Sequence, residues 1–396
     1  MNDDLLKSSL VKALEKVPIL TGHLERIDGT PFEAEKNTDL QVIVGTRGAW
    51  YASNHIKGSF QEAKQHGFNH ELLDRTFLFK KANDAILEGD NYPLFAVKVN
   101  RFDCGSVLLL VTTCHFAADA KSTYEFMRYW GELAQGIDSS EAPFDARHMY
   151  TIPESSGDPP KLSDSLKSLN TTPPTITGPI CRVRFSIPVA KMAKIKEEIN
   201  LELKPLDRWV TTDDVMCALG WRALTRARRL GDKVTSFGRM VEIRSMLYPP
   251  LPPTAFGNFI SYAAPEPMPA SELIVAPLST VAYNIREALK KLDPSKFDIF
   301  LGVVHNMKLK PHPFAFDGSV FGTNMFASSY TKFLPQKINF HNSPATTMLR
   351  AYYKEGALLP QPVYDGTYSC HLGASAEYAE DIINDPELCF LGFTMD

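Results

Sequence analysis

At 396 residues the chain is long enough for two or three domains or one large pseudo-symmetric pair, and its 44% hydrophobic and 22% charged content excludes disorder as the main state. Its 42 basic and 46 acidic residues leave a formal charge of −4, which argues against a general nucleic-acid binder, since such proteins carry a basic excess. No apolar run approaches the roughly 18–20 residues of a membrane helix, Met1-Asn2-Asp3-Asp4 lacks the start of a secretory signal, and six cysteines without a CxxC pair predict a reducing, cytoplasmic setting with neither zinc site nor disulfide frame.

The chain opens on an amphipathic helix, with Leu5, Leu6, Leu10, Val11, Ala13 and Leu14 near one face and Pro18 as its stop. A strand is predicted at Leu40–Val44. Two antiparallel strands follow over Pro93–Phe102 and Ser106–Cys114, joined by a turn at Asp103-Cys104-Gly105, the second apolar enough to be buried on both faces. Lys121–Leu133 has helical spacing. The stretch Tyr150–Pro179 carries six prolines amid Ser, Thr, Asp and Gly, the composition of an extended crossover. It divides the chain into an N-terminal domain over 1–149, a crossover over 150–179 and a C-terminal domain over 180–396. The second domain is predicted to hold a strand at Cys181–Ile187 and a helix at Ala190–Asn200. A second helix there is capped by Thr211-Thr212-Asp213 and runs to about Arg229. Strands near Arg239–Ile243, Ile299–Val304 and Met325–Phe333 and a helix at Ser279–Lys291 complete it. Without regular βαβ alternation the expected class is α+β with mixed sheets.

Phosphate loops, dinucleotide fingerprints, GxSxG elbows and HExxH pairs are missing from the sequence. SxxK occurs at Ser9–Lys12 and Ser329–Lys332 without its companion motifs. HxxxD occurs twice. His70 and Asp74 lie in a polar helical stretch, where i and i+4 residues are ordinary surface neighbours. His115 and Asp119 lie where an apolar strand ends and a helix begins, a place that presents side chains to clefts. An imidazole with an unperturbed pKa near 6.5 can take a proton there from a hydroxyl or amine. The plain alternative is a partly buried histidine bonded to a backbone carbonyl. Cys114, beside His115, should point to the opposite, buried face.

Several segments resemble the BAHD acyltransferase family, in the same order along the chain. Asn100–Gly105 and His115-Phe-Ala-Ala-Asp119-Ala120-Lys-Ser122 resemble that family's strand turn and HxxxDG motif, with Ala120 in place of Gly. Leu6–Leu24 resembles its opening helix and turn, and Thr211–Arg222 with Arg226-Ala227-Arg228 its first long helix of domain two. Arg244, Pro249–Pro252 and Phe256-Gly257-Asn258 resemble its "R…PPLP…YFGN" segment, with Ala255 for Tyr. Ser328-Ser329-Tyr330 stands where the family has Thr/Ser-Ser-Trp. The DFGWG motif falls at Asn339–Ser343 and keeps only Phe340; His341 there is expected at the surface. The chain begins at the first helix, without the family's preceding strand. The likeness is strongest to the fungal branch that includes trichothecene 3-O-acetyltransferases.

The resemblance implies two pseudo-symmetric domains of chloramphenicol-acetyltransferase type, with mixed sheets flanked by helices. It implies acyl-CoA, acetyl-CoA foremost, as co-substrate with no metal, entering between the domains with its pantetheine arm passing Thr211 and Thr212. The acceptor is a small molecule, a terpenoid, polyketide or alkaloid hydroxyl, or an amine. No nucleic acid, no membrane span and a monomer are expected. His115 is the general base for direct attack on the thioester, and Ser328 or Tyr330 donates to the oxyanion. Asp119 points away from the substrate and holds the site's shape through a bidentate bond to Arg244, with Asn258 as further support. For Thr211 and Thr212 simple N-capping stays open, and for Ser328–Tyr330 an ordinary strand. Two other functions also stay open: the same fold catalysing a cyclisation or carrier-bound condensation, and a binding protein with a vestigial site.

Overall fold

The computed structural model describes residues 2–26, 40–45, 48–65, 93–115, 117–139, 141–146, 149, 178–292, 324–341, 343–346, 348 and 354–395. The second HxxxD at His70 and Asp74, the strand expected at 299–304 and all but the last two residues of the expected 150–179 crossover lie outside them. The chain divides into two compact units. Unit 1 comprises 1–151 with 249–259 and 336–346; unit 2 comprises 152–248, 260–335 and 347–396. Among the described residues no helix is long and apolar enough to cross a membrane.

Unit 1 starts with the helix Asp3–Lys16, capped by the Asn2 side chain and ended before the turn that Pro18 opens. Its three-stranded sheet sets Phe95–Phe102 in the middle, parallel to Trp50–Ile56 and antiparallel to Val107–Thr113. That order corrects one expectation. The strand after the Gly105 turn is half-buried at every position, whereas Phe95–Phe102 is buried at all but one. The middle strand has a neighbour on each side, and the apolar run after it is an outer strand among the described residues. The helix Ala120–Ala134 packs on this sheet, Phe126 meeting Phe95 edge-on at 5.0 Å between ring centroids. One turn further, Trp130 donates its indole N–H to Leu6 O and Ser9 Oγ, each at 3.1 Å, which fastens the first helix to this one.

The degenerate DFGWG segment forms a two-residue hairpin, Asn339–Phe340 with Ser343–Pro344. Phe340, its retained position, packs edge-on against Trp130 at 4.7 Å. A Cβ at Gly131 would sit 2.6 Å from the Asn339 carbonyl, so only glycine lets the hairpin approach the helix this closely. His341 follows at φ 52°, in the left-handed region that favours glycine, and its side chain is exposed as expected.

Unit 2 is built on a mixed seven-stranded sheet. Its order is Ile260–Ala263, Phe237–Glu242, Met325–Ala327, Ala357–Pro360, Thr367–Ser375, Ile180–Pro188 and Thr394–Met395. The short third strand, Met325–Ala327, is parallel to both neighbours, and all other pairs are antiparallel. The strand expected over Met325–Phe333 ends at Ala327; beyond it the Ser328 and Tyr330 amides still donate to the Leu358 and Pro360 carbonyls at 3.0 and 2.8 Å. The helix Thr212–Ala227 crosses this sheet, with Gly220 against Leu358 and Trp221 stacked on Phe237 at 5.5 Å. Its basic end is anchored by carboxylates. Arg226 takes Asp385 in a bidentate pair at 2.7 and 2.9 Å, Arg222 takes Glu387 at 2.9 Å, and buried Arg228 takes Glu355 at 2.7 Å.

His371 lies buried on the strand Thr367–Ser375. Burial, then the charges of Arg182 and Arg184, push its pKa down to about 3. The unfolded chain protonates it near 6.5. Its contribution to stability is therefore present above about pH 6.5 and lost as the pH falls towards about 3. Urea midpoints measured from pH 7 to pH 4 should decline more steeply for the native chain than for His371→Gln; parallel curves would remove His371 as a cause of acid sensitivity.

Candidate functional site

In unit 1 the site grows from the end of the strand Val107–Thr113. Cys114 is buried, its amide donating to Leu94 O at 2.8 Å, and the next residue, His115, is exposed. Ala117 N donates to Cys114 O at 2.9 Å, so the chain is already turning at His115. The chain turns through Ala117 and Ala118 to Asp119, the N-cap of the helix Ala120–Ala134. Ala120 is thus the first helical residue, a position that asks for helix-forming tendency rather than for the conformational freedom of glycine.

Asp119 is 2% exposed and spends both carboxylate oxygens on main-chain amides. Oδ1 accepts from Ser122 N at 2.7 Å, and Oδ2 accepts from Phe259 N at 2.9 Å. The first bond caps the helix, and the second draws in the segment 249–259. That segment is held further by Ser122, whose hydroxyl donates to Gly257 O at 2.8 Å and accepts from Gly257 N at 3.0 Å. The Asp119 amide donates to the same Gly257 carbonyl at 3.1 Å. Within this clamp Asn258 points its Nδ2 at the His115 carbonyl, 2.6 Å away. The backbone of His115 is fixed from outside, and its imidazole is bonded to no described residue, Asp119 included. Unit 1 therefore brings together three of the expected residues, His115, Asp119 and Asn258. It adds Ser122 and Gly257, named in the sequence only as members of resembling segments and given no role there.

Unit 2 holds the other candidates. Thr211 is the N-cap of the helix Thr212–Ala227 in a complete capping box with Asp214, its hydroxyl donating to Asp214 Oδ2 at 2.6 Å and its amide to the same oxygen at 2.8 Å. The Thr211 hydroxyl is thus committed to the cap, while the half-buried Thr212 hydroxyl makes no hydrogen bond among the described residues. Arg239 joins this helix start to the sheet, pairing with Asp213 and with Asp214 at 2.5 Å. Burial and the neighbouring Arg286 lower the pKa of Arg239 to about 10, so it stays charged at neutral pH. Asp213 also accepts from Ser329 Oγ at 2.8 Å. Ser328, beside it, is half-buried with a hydroxyl that makes no hydrogen bond among the described residues, whereas Tyr330 is buried edge-on to Phe333 at 5.3 Å. Arg244 is 1% exposed and opens a 3-10 turn directly after the strand Phe237–Glu242; its Nη1 donates to Glu242 Oε1 at 3.0 Å. The pairing of Asp213 and Asp214 with Arg239 escaped the sequence reading, because it joins a helix to a strand across the fold of unit 2.

Residues 1–344 match the Transferase family. Anthranilate N-benzoyltransferase protein 1 of Dianthus caryophyllus is 23% identical over 398 residues, spanning 96% of this chain and 85% of that protein. Shikimate O-hydroxycinnamoyltransferase of Nicotiana tabacum is 26% identical over 73% of this chain and 68% of its own length. The crystal structure of F. sporotrichioides TRI101 complexed with coenzyme A and T-2 superposes with a TM-score of 0.77 at 16% identity, covering 98% of this chain and 90% of that one. Vinorine synthase gives 0.65 at 18% identity, covering 98% and 85%.

Removing the Asp119 carboxylate strands two buried amides. Asp119→Ala should lower unfolding stability by about 2–4 kcal/mol, a lost cap plus an unsatisfied buried donor. Chemical denaturation checks this, and a loss under about 0.5 kcal/mol would contradict the clamp.

Proposed function

This chain belongs to the Transferase family, the BAHD acyl-CoA-dependent acyltransferases, and on that footing we propose that His115 is the general base of a direct acyl transfer. As a member it moves an acyl group from acyl-CoA to a hydroxyl or amine. The observation that carries the role of His115 is its setting: an exposed imidazole at a strand end, with its carbonyl gripped by Asn258 and its ring bonded to no described neighbour. Such a ring can accept a proton from an acceptor placed against it.

The donor's thioester supplies the electrophilic carbonyl and the thiolate leaving group. His115 takes the proton of the acceptor O–H or N–H as the new bond to the carbonyl carbon forms. The Ser328 hydroxyl is the donor available to the developing oxyanion, and its lack of a described partner supports it over buried Tyr330. As the C–S bond breaks, protonated His115 returns its proton to the thiolate. Thr212, with its uncommitted hydroxyl, takes the contact to the pantetheine arm, while Thr211 serves it indirectly by capping the helix. Asp119 has no part in proton transfer; its carboxylate holds the loop that carries His115.

The acceptor in this reading is a small secondary metabolite, with acetyl as the transferred group. TRI101, structurally similar, was crystallised with coenzyme A and T-2, and that supports a small-molecule acceptor. A monomer working in the cytoplasm completes the proposal.

His115→Ala should lower turnover by about 10²–10⁴-fold, the usual worth of a general base, without loss of fold. Thiol release from acetyl-CoA in the presence of an accepted alcohol measures it, and a folded variant keeping a third of native turnover would end the assignment. We also propose that Asp119 pairs with Arg244. Asp119→Ala and Arg244→Ala should then be non-additive in stability by about 0.5–3 kcal/mol, the double variant being less damaged than the sum. Strict additivity in a double-mutant cycle would reject the pair.

A further inference from the structure

The sheet of unit 2 turns one face to its helices. Phe237, Met325, Ala327 and Leu358 belong to the apolar core on that side. Arg239 and Ser329 point the same way, both reaching Asp213 at the start of the helix Thr212–Ala227. Side chains alternate along an extended chain, so Gly238, Met240, Phe326 and Ser328 belong to the opposite face. Phe326 is in register with Gly238, and Tyr262 with Met240. The register of Met325–Ala327, carried one residue on, sets Ser328 beside Met240. The Ser328 amide is held there by Leu358 O at 3.0 Å. Ser328, Met240 and Tyr262 thus form a row across three strands, about 10 Å from end to end.

Tyr262 does not stand upright in this row. Its ring lies diagonally over Gly238, where a Cβ would overlap the tip of the phenol. Only glycine leaves room for the ring in this position. Tyr262, Met240 and Phe326 are all half-buried. Burial raises the pKa of Tyr262 to about 12, so its side chain is a neutral phenol at physiological pH. A ring laid flat beside a methionine and a phenylalanine makes an apolar wall at the far end of the row from Ser328. None of these three side chains has a part in the proton transfer described above.

We infer that Tyr262 limits the length of the acyl group that this protein transfers. This rests on the proposed acyl transfer with the Ser328 hydroxyl at the oxyanion. A thioester whose carbonyl oxygen meets that hydroxyl holds its acyl substituent beside Ser328, and an acetyl group ends there. A longer chain laid across Met240 runs into the ring that fills the space over Gly238. Rejection of this kind is built from a clash with the wrong substrate rather than from a contact with the right one. Tyr262 is thus a specificity-determining residue for the donor, acting through its bulk.

Calorimetry with S-ethyl-CoA and S-hexyl-CoA, thioethers that cannot transfer, tests the wall without turnover. Native protein should prefer the ethyl compound by about tenfold or more, and Tyr262→Ala should cut that preference about tenfold. Tyr262→Leu, whose side chain is too short to cover Gly238, should move in the same direction, while Tyr262→Phe keeps the ring and should keep the preference. In kinetics, the ratio of kcat/KM for hexanoyl-CoA to that for acetyl-CoA should rise about tenfold in Tyr262→Ala. A native binding preference in the folded Ala or Leu variant would overturn the inference, as would its loss in Tyr262→Phe. A chain that transfers from no acyl-CoA, but whose Tyr262→Ala variant gains S-hexyl-CoA binding, would uphold the wall and remove the acyl-transfer reading. Transfer from acetyl-CoA with native chain-length preference in the Ala and Leu variants would do the reverse. Binding of neither thioether would end both.

Discussion

A single buried carboxylate sets the geometry of the candidate site. Asp119 has two oxygens and almost no contact with water, so each oxygen must find a donor inside the protein. One takes an amide of the helix that Asp119 caps, and the other takes an amide from residues more than a hundred positions away. Because both bonds must form together, the helix start and the distant segment are fixed at once. His115 occupies the turn between strand and cap, and Asn258 lies on the segment that the clamp draws in. His115 is therefore placed by its main chain rather than by a described partner on its ring.

This arrangement differs from a catalytic triad, where the acid orients the base through the imidazole. Here the ring is bonded to no described residue, and the acid acts on the main chain around it. The departure of Ala120 from glycine then costs little, because the residue after the cap is already helical. The losses in the DFGWG segment are of another kind. Phe340 retains its packing role against Trp130, while His341 occupies a backbone conformation better suited to glycine. The hairpin is kept by contacts around it, Phe340 on Trp130 and the Asn339 carbonyl on the Gln135 side chain.

In unit 2 both ends of the helix Thr212–Ala227 are held by ion pairs. The C-terminal arginines of Thr212–Ala227 are neutralised by carboxylates, which makes that end structural. The N-terminal end is a tight capping box backed by Arg239. At the adjoining loop the Arg286 guanidinium lies over the Trp209 ring and forms no salt bridge among the described residues. Electrostatic groups that are already paired have little left to offer a ligand.

Local signals in the sequence determined much of this protein. Helix periods, the Pro18 stop, the Thr211 cap and the Gly105 turn each depend on residues a few positions apart, so they could be read directly. The same holds for His115 just past a strand end, because the end of an apolar run is a local signal. The apolar run after Gly105 misled for the opposite reason: hydrophobicity shows that a strand packs, not whether it lies inside or at the side of its sheet. Strand order, the recruitment of 249–259 to unit 1, and the bond from Asp119 to Phe259 depend on contacts between distant residues. No spacing rule encodes them. A serine such as Ser122 or an arginine such as Arg286 looks like any other until the fold decides which neighbours it meets and which of its donors is left without one.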